Sequence, residues 1–311
     1  MADSADVLTP EAFRLLHAIA RTGSFAGAAR ALGLVPSALT YRVRQIEDAL
    51  DVLLFDRSHR QARPTPAGVE LLAQGERLRQ EVDTLVRRVQ RVATGWEPEL
   101  TLAVDGVVSQ AVLLDLCCDF YALNPPTRLR LRSEILSGTL SALTSGQADL
   151  ALGVTLEPAS AANLRAKPLG QVRFVYALAP THPLARVPEP LSDSDLLKHR
   201  AIVVADSAPG SASLSFGLLA GQEALTVASL QAKLDAHLRG LGVGFLPEPL
   251  ARSSLASGQL VARRVERSTR TATLHYAWPA QAAPGKALSW WLYQLERPVT
   301  RRALLDGPAS V

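Results

Sequence analysis

Residues 66 to 94 carry one uninterrupted helical pattern, which constrains the whole chain because it separates two segments of different character. No proline follows Pro66 within it, and Gly95 and Pro98 end it. Apolar residues and one glycine alternate three and four positions apart: Leu71, Gly75, Leu78, Val82, Leu85, Val89 and Val92. This heptad spacing, over about 40 Å of helix, favours an antiparallel dimerising helix. The alternative is a helix that packs along its own domain.

The composition limits the class of protein. With 311 residues, 48% of them hydrophobic and 20% charged, the chain is globular and long enough for two or three domains. The net charge of +4 is too small to indicate nucleic-acid binding by itself. The first six residues are polar and acidic, unlike a secretory signal, and no stretch approaches the roughly 18 apolar residues of a membrane helix. We expect a soluble, cytoplasmic protein without a membrane partner.

Cys117 and Cys118 are the only cysteines, and they are adjacent in an apolar run. An ordinary disulfide between neighbouring residues is geometrically unfavourable. A redox switch needs an exposed thiol of low pKa with a resolving partner. We therefore expect two buried packing thiols.

Three short helices are predicted in the first 50 residues. Thr9-Pro10-Glu11 combines a capping hydroxyl, a first-turn proline and an acid at the positive end of the helix dipole, and Gly23 ends this helix. Ser24 caps a second helix, and Pro36 and Ser37 start a third. The buried stripe of the third helix consists of Leu39, Val43, Ile46 and Leu50.

The opposite stripe of the third helix is polar and consists of Ser37, Thr40, Tyr41 and Arg44. Such a helix can enter a DNA major groove N-terminus first, because its amides face phosphate and its side chains reach base edges. A two-stranded wing is predicted next, and its arginines can contact phosphates or the minor groove. An ordinary solvated helix face is the alternative for the stripe. The predicted contacts with double-stranded DNA are Ser24, Pro36, Ser37, Thr40, Tyr41, Arg44, Arg57, Arg60 and Arg63.

Several short segments between residues 8 and 70 occur in the order and spacing of a known signature. They are Gly23-Ser24-Phe25, Ala28-Ala29-Arg30-Ala31-Leu32, Pro36-Ser37-Ala38-Leu39-Thr40, Ile46-Glu47, Leu54-Phe55-Asp56-Arg57 and Thr65-Pro66-Ala67-Gly68. On these residues the chain resembles the LysR family of bacterial transcriptional regulators. The resemblance implies a winged helix-turn-helix, a dimerising linker helix and a small-molecule sensor. The family often has glutamine in place of Val35 and usually Ser-Arg in place of Thr40-Tyr41, so the operator sequence does not follow from the resemblance.

From Glu99 onward, predicted strands alternate with predicted helices. The first five elements, over residues 100–154, form a β-α-β-α-β run, which predicts a parallel sheet with right-handed crossovers. A second alternating unit is predicted over residues 201–256, and a strand at 273–278 and a helix at 287–296 complete the fold. Two α/β lobes of this kind form a cleft, where ligands bind. The LysR resemblance continues more weakly through residues 146–153 and 240–247 and implies a periplasmic-binding-protein-like effector domain.

The predicted fold is therefore α+β overall: a winged helix-turn-helix, a long linker helix and a two-lobed α/β effector domain. The predicted domains are residues 1–65 for DNA binding, 66–95 for the linker helix, 96–300 for the effector domain and 301–311 for a tail. Within the effector domain, lobe one is expected over residues 99–163 and 268–300, and lobe two over 164–267.

Candidate effector contacts follow the carboxyl ends of the predicted strands. They are Asp105, Val107, Ser137, Gly138, Thr139, Asp206, Ser207 and Phe245. Ser137 and Thr139 sit where helix caps belong, beside free amides that suit a carboxylate, although a cap without a ligand is the alternative. Asp105 and Asp206 would repel a carboxylate unless they are paired, or they select a cationic or hydroxylated ligand. Val107 and Phe245 could supply an apolar wall for a small aromatic acid.

Two other classes of protein are disfavoured. An enzyme would need a catalytic motif, yet the chain has no Gly-x-Ser-x-Gly elbow, no phosphate loop and no paired histidines for a metal, so we expect no cofactor and no metal. A stand-alone solute-binding protein would need a secretion signal in place of the helix-turn-helix. The expected partners are DNA, an unidentified small-molecule effector, RNA polymerase and a further copy of the chain, as a homodimer or homotetramer. A regulator with no physiological ligand is an alternative.

Overall fold

The structure, a computed structural model, describes residues 7–56, 61–155, 163–208, 217–266, 270–280 and 283–307. The chain divides into two compact units, residues 1–86 and 87–311. The helices are α1 (Pro10–Thr22), α2 (Phe25–Leu32), α3 (Pro36–Leu50), α4 (Pro66–Thr94), α5 (Gln110–Tyr121), α6 (Gly138–Thr144), α7 (Asp193–Leu196), α8 (Leu230–Leu238), α9 (Glu248–Ala256), α10 (Lys286–Glu296) and α11 (Pro298–Asp306). The strands are β1 (Phe55–Asp56), β2 (Arg63–Pro64), β3 (Glu99–Asp105), β4 (Arg128–Glu134), β5 (Leu150–Val154), β6 (Leu164–Leu178), β7 (Ala201–Val204), β8 (Ala224–Val227), β9 (Gly244–Pro247), β10 (Val261–Arg263) and β11 (Arg270–Pro279).

Helices α1 to α3 pack around one small apolar core, as predicted. The Oγ1 of Thr9 accepts a hydrogen bond from the amide of Ala12 at 3.2 Å, which caps α1. Ala28 and Ala29 of α2 are fully buried and allow the helices to approach closely. The stripe predicted for the inner face of α3 joins this core, with Leu50 only partly buried.

Strands β1 and β2 pair antiparallel and form the predicted wing, with Phe55 opposite Pro64. A buried carboxylate anchors the wing to α3: Glu47 Oε1 accepts hydrogen bonds from the amides of Leu54 at 2.9 Å and Phe55 at 3.3 Å. The turn between α3 and the wing therefore takes its shape from one acidic side chain.

Helix α4 has the bounds that the proline and glycine signals predict, but its heptad stripe serves two purposes. A Cβ atom on Gly75 would lie 2.1 Å from Phe13 Cδ1, so only glycine allows α4 to lie this close to α1. Leu71 also packs against the core of its own unit. The later stripe residues are exposed, and we call them the α4 seam: Leu78, Val82, Leu85, Val89 and Val92. The first turns of α4 thus pack within their own domain, and the remaining turns leave the apolar stripe exposed.

The main sheet of the second unit has the strand order β10-β6-β11-β5-β3-β4, and β9 also pairs with β6. β4, β3 and β5 are parallel, which confirms the prediction for the β-α-β-α-β run. We call the part built on β3, β4 and β5 the first lobe and the part built on β7, β8 and β9 the second lobe. β11 pairs with β5 and β6 pairs with β9, so the long antiparallel β6–β11 pair joins the two lobes.

The end of the chain differs from the predicted tail. Residues 301–306 complete α11, and Leu304 and Leu305 are buried in the core of the first lobe. The prediction of a tail from residue 301 is therefore wrong for residues 301–306, because Pro298 begins a further helix.

The segment that follows α4 is held by the buried Glu97. Its carboxylate accepts hydrogen bonds from the amides of Gly285 at 2.7 Å and Ala287 at 3.0 Å, at the start of α10.

The two cysteines have different environments, contrary to the prediction of two buried thiols. Cys117 is buried, and this burial raises the pKa of its thiol to about 11. Cys118 is exposed. Adjacent residues of a helix point about 100° apart, so only one of them can face the core behind α5.

Candidate functional site

The outer face of α3 presents the predicted polar stripe to solvent. Ser37, Tyr41 and Arg44 are exposed, and Tyr41 keeps 64% of its surface accessible. Thr40 is half-buried, and its Oγ1 donates a hydrogen bond to the carbonyl oxygen of Pro36 at 2.9 Å. The spacing of the four residues places them on one helix face, so a partner whose groove receives this helix can contact all four together.

This outer face is supported from behind and from one side. Val43 is fully buried under the stripe. Arg42 forms an ion pair with Glu11 of α1, and Gln45 Nε2 donates a hydrogen bond to Tyr41 Oη at 3.2 Å. The stripe therefore stands on a helix that is held by the core and by polar contacts.

The other predicted DNA contacts have mixed positions. Pro36 is exposed at the first turn of α3, and Arg63 is exposed on β2. Ser24 Oγ accepts a hydrogen bond from the amide of Gly27 at 3.0 Å, so this hydroxyl caps α2. Arg57 and Arg60 lie outside the described residues.

The α4 seam borders an apolar groove of about 670 Å³ within the first unit. Phe13 and His17 of α1 form one wall, and Leu78 and Val82 of α4 form the other. An exposed apolar stripe beside such a groove is typical of a surface that a further helix covers.

Two hydroxyl–carboxylate pairs join the lobes of the second unit. Ser137 Oγ donates a hydrogen bond to Asp206 Oδ2 at 2.5 Å, and Ser207 Oγ donates one to Glu134 Oε2 at 2.6 Å. A Cβ atom on Gly138 would lie 1.8 Å from Ser207 Oγ, so glycine is needed for this approach. The ends of β4 and β7 therefore meet, and the predicted residues Ser137, Gly138, Asp206 and Ser207 come together.

Asp105 ends β3 beside this meeting point. Its carboxylate accepts hydrogen bonds from the amides of Val107 at 2.9 Å and Leu136 at 3.0 Å. Burial raises the pKa of Asp105 to about 6, and the nearby carboxylate of Asp206 contributes in the same direction. The two amide hydrogen bonds lower the pKa, but burial outweighs them, so the pKa of Asp105 lies closer to neutral pH than that of an ordinary aspartate.

The remaining predicted effector contacts lie deeper in the lobes. Val107 is half-buried against the core of the first lobe, and Thr139 is fully buried. Phe245 is only 4% exposed and packs edge-on against Tyr176, with 5.2 Å between the ring centroids. This differs from the predicted apolar wall of a cleft. The reason is that β9 lies against β6 inside the second lobe, where both faces of the strand are covered.

No three His, Cys, Asp or Glu side chains of the described residues are grouped as a metal site would require. Within the same residues, no helix combines the length and the apolar character that crossing a membrane demands.

Two family models, one for each part of the protein, together match most of the chain. Residues 10–69 match the bacterial regulatory helix-turn-helix protein of the lysR family, and residues 93–298 match the LysR substrate binding domain. The chain belongs to the LysR family of transcriptional regulators. It is a DNA-binding transcriptional regulator with an effector-binding domain, and not an enzyme.

Curated relatives and solved structures agree with this LysR assignment. The chain is 38% identical to the uncharacterized HTH-type transcriptional regulator YeeY of Escherichia coli K12 over 277 residues, 89% of each chain. It is 37% identical to the probable regulator YhaJ of the same organism over 290 residues, 93% of this chain and 96% of the relative. The structure of full-length CbnR complexed with its target DNA shares the fold, with a TM-score of 0.61, 16% identity and coverage of 93% and 99%.

Two residues of this LysR-family chain went unassigned in the sequence analysis although they shape its sites. Glu47 carries the wing, and its signal is an acid next to Ile46 on the buried side of α3. Glu134 accepts a hydrogen bond from Ser207 of the other lobe. No local sequence pattern indicates this contact, because its partner lies 73 positions away. The contacts of Glu134 depend on how the chain folds back.

Proposed function

We propose that two copies of this LysR-family regulator pair through the α4 seam and present two α3 helices to an imperfect palindrome. A twofold pair places its recognition helices on successive half-sites of the duplex. The exposed leucines and valines of the seam support this pairing, because a monomer would leave a long apolar stripe in water. Pairing of such dimers into a homotetramer is part of the proposal.

The bases are read by the exposed stripe of α3. Arg44 and Tyr41 reach base edges, Ser37 and Pro36 approach phosphate at the helix start, and Thr40 contributes its methyl group. Ser24 and the arginines Arg57, Arg60 and Arg63 hold the backbone on either side. The observation that carries this proposal is the exposure of Ser37, Tyr41 and Arg44 on a helix whose other face is core.

The effector binds between the two lobes, near Asp105, Ser137, Gly138, Asp206 and Ser207. These residues come from strand ends of both lobes, so a ligand there contacts both and changes their relative orientation. Such a ligand acts as a switch only when it binds one arrangement more tightly than the other. The change alters DNA bending and contact with RNA polymerase, in the cytoplasm.

The test is fluorescence anisotropy of the full-length protein on the DNA upstream of its own gene, at several salt concentrations. The expected result is binding that exceeds binding to scrambled DNA and weakens with salt as phosphate contacts are lost. A pool of genomic fragments covers targets elsewhere. A folded protein that selects no fragment from that pool would contradict the proposal.

A further inference from the structure

Lys233 on α8 is a buried cation that meets no counter-charge within the described part of the chain. Its side chain is 4% exposed, and burial alone lowers the pKa of its amino group to about 8. Among the described residues, none forms an ion pair with Lys233 Nζ or accepts a hydrogen bond from it. An unpaired ammonium inside a protein is strongly unfavourable, so such a group points to a partner from outside the fold.

His237 lies one helical turn further along α8 and supplies no counter-charge. Its Nδ1 lies 2.7 Å from the carbonyl oxygen of Lys233, so Nδ1 carries the proton and donates. Burial lowers the pKa of His237 to about 4, which keeps the ring neutral. Its Nε2 faces the backbone of Gly244, a contact that partly opposes this lowering of the pKa, and among the described residues it makes no hydrogen bond of normal geometry. The ring is fully buried, so it packs against β9 as a neutral group and adds no charge beside Lys233.

Both groups approach the same point on β9. A Cβ atom on Gly244 would lie 3.6 Å from His237 Nε2 and 3.7 Å from Lys233 Cε. The carbonyl oxygen of Ile202 is nearer still, at 3.2 Å, so this point is closely packed. The Lys233 stem and the neutral His237 ring are thus held side by side on the inner face of α8.

Lys233 lies about one helical turn from the cleft between the lobes. Leu230, the first residue of α8, reaches the first lobe, where its Cδ1 is 3.4 Å from the Cβ position of Gly106. Lys233 follows three positions later on the same side of the helix. Side chains of a helix lean toward its N-terminus, so the Lys233 side chain leans toward the cleft.

The carboxylates around the cleft are already used within the fold. Asp105 accepts two backbone amides, Asp206 accepts Ser137, and Glu134 accepts both Ser207 and Arg132. Their hydrogen bonds remove the need for a cationic ligand. Lys233, in contrast, has no such partner among the residues that the structure describes.

We propose that Lys233 receives the effector's acidic end, and that the effector is a small organic acid. The carboxylate pairs with Lys233 Nζ. This inference rests on the proposed effector binding between the lobes. It adds the chemical class of the ligand and the residue that recognises its charge.

The direct test uses the small number of lysines, which are Lys167, Lys198, Lys233 and Lys286. Full-length protein carrying lysine labelled with ¹³C at Cε gives one signal for each, assigned by single Lys→Arg variants. Lactate and 3-hydroxybenzoate are titrated at constant ionic strength, with benzylamine and benzyl alcohol as cationic and neutral controls. We expect both acids to move only the Lys233 signal and to raise the pKa measured from it. A Lys233 signal that neither acid moves at tens of millimolar, or that benzylamine moves equally, would overturn the proposal.

A variant pair gives the second test. Lys233→Met removes the charge at similar length, and Lys198→Met does the same at an exposed site of the second lobe. We expect Lys233→Met to raise the melting temperature by about 2–4 °C and to abolish stabilisation by the acids, while Lys198→Met changes neither. A lower melting temperature for Lys233→Met would show that Nζ serves the fold and would overturn the proposal. DNA-binding anisotropy separates a failure of this inference from a failure of the proposed function. Wild-type protein that selects DNA but does not respond to the acids contradicts only this inference.

Discussion

Ser207 of the second lobe donates a hydrogen bond to Glu134 of the first lobe, with 2.6 Å between Oγ and Oε2. Arg132 binds the other oxygen of the same carboxylate, at 3.0 Å from Nε and 2.9 Å from Nη2. Both carboxylate oxygens of Glu134 therefore accept hydrogen bonds, one from its own lobe and one from the other lobe. This contact stabilises the arrangement of the lobes seen in the structure.

Ser207→Ala should loosen that arrangement. The substitution leaves Glu134 Oε2 and the amide of Ile135 without their hydroxyl partner, which should reduce the free energy of unfolding of the second unit by about 1 kcal/mol. Hydrogen exchange at residues 134–138 should become faster. Ser257→Ala, at an exposed hydroxyl of the second lobe, is the control. Unchanged exchange in Ser207→Ala would mean that the lobes are held by other contacts.

Arg44→Ala should weaken binding to the selected DNA by about 1–3 kcal/mol, because a bidentate contact with guanine contributes that much. The loss should depend on the base at one operator position, measured by anisotropy on a series of operator variants. Arg77→Ala removes the same charge from the exposed side of α4 and is the control. Equal selectivity of Arg44→Ala and wild type across the series would refute base reading by this arginine.

Leu78→Lys should weaken dimerisation, because it places a charge in the α4 seam. Sedimentation velocity at low micromolar concentration should show a larger monomer fraction than for wild type. Val69→Lys introduces the same charge at an exposed position of α4 outside the seam, and it should behave as wild type. A Leu78→Lys protein that stays fully dimeric on dilution would exclude the seam as the interface.

Glu47→Ala should release the wing from α3. The amides of Leu54 and Phe55 lose their acceptor inside the protein, a change that costs about 1–3 kcal/mol. We expect faster hydrogen exchange at these two amides and weaker DNA binding. Asp48→Ala, at the exposed neighbouring position, should change neither quantity. Protected amides in the Glu47→Ala protein would show that the wing is held in another way.

Asp105 should make the stability of the second unit depend on pH. Its pKa of about 6 in the folded state exceeds the ordinary value of 3.8, so the folded state binds the proton more tightly than the unfolded state. The contribution is therefore fully present below about pH 4 and is lost as the pH rises to about 6, by an amount on the order of 1–3 kcal/mol. The difference in unfolding free energy between wild type and Asp105→Asn should fall over this window. A flat difference would contradict the raised pKa.

Local signals predicted much of the fold. Proline, glycine and hydroxyl caps placed the ends of α1, α2 and α4, since these residues satisfy or terminate a helix wherever the chain lies. Alternating strands and helices predicted the parallel order of β4, β3 and β5. The polar stripe of α3 followed from helical spacing alone.

The cleft was predicted less completely. Strand ends indicated Asp105, Ser137, Asp206 and Ser207, because ligands of α/β folds bind at the carboxyl ends of strands. Phe245 also stands on such a strand, yet the pairing of β9 with β6 buries it in the second lobe. Burial on both faces of a strand depends on its neighbours, which local pattern does not contain.

The sequence by itself determined the family, the order of the elements and the outward stripe of α3, because each depends on residues close together along the chain. Only the tertiary structure decided which side chains face each other over long separations. Gly75 against Phe13 and Glu134 against Ser207 are such cases. Burial sets the pKa of Asp105 and Lys233, and burial is a property of the packed chain.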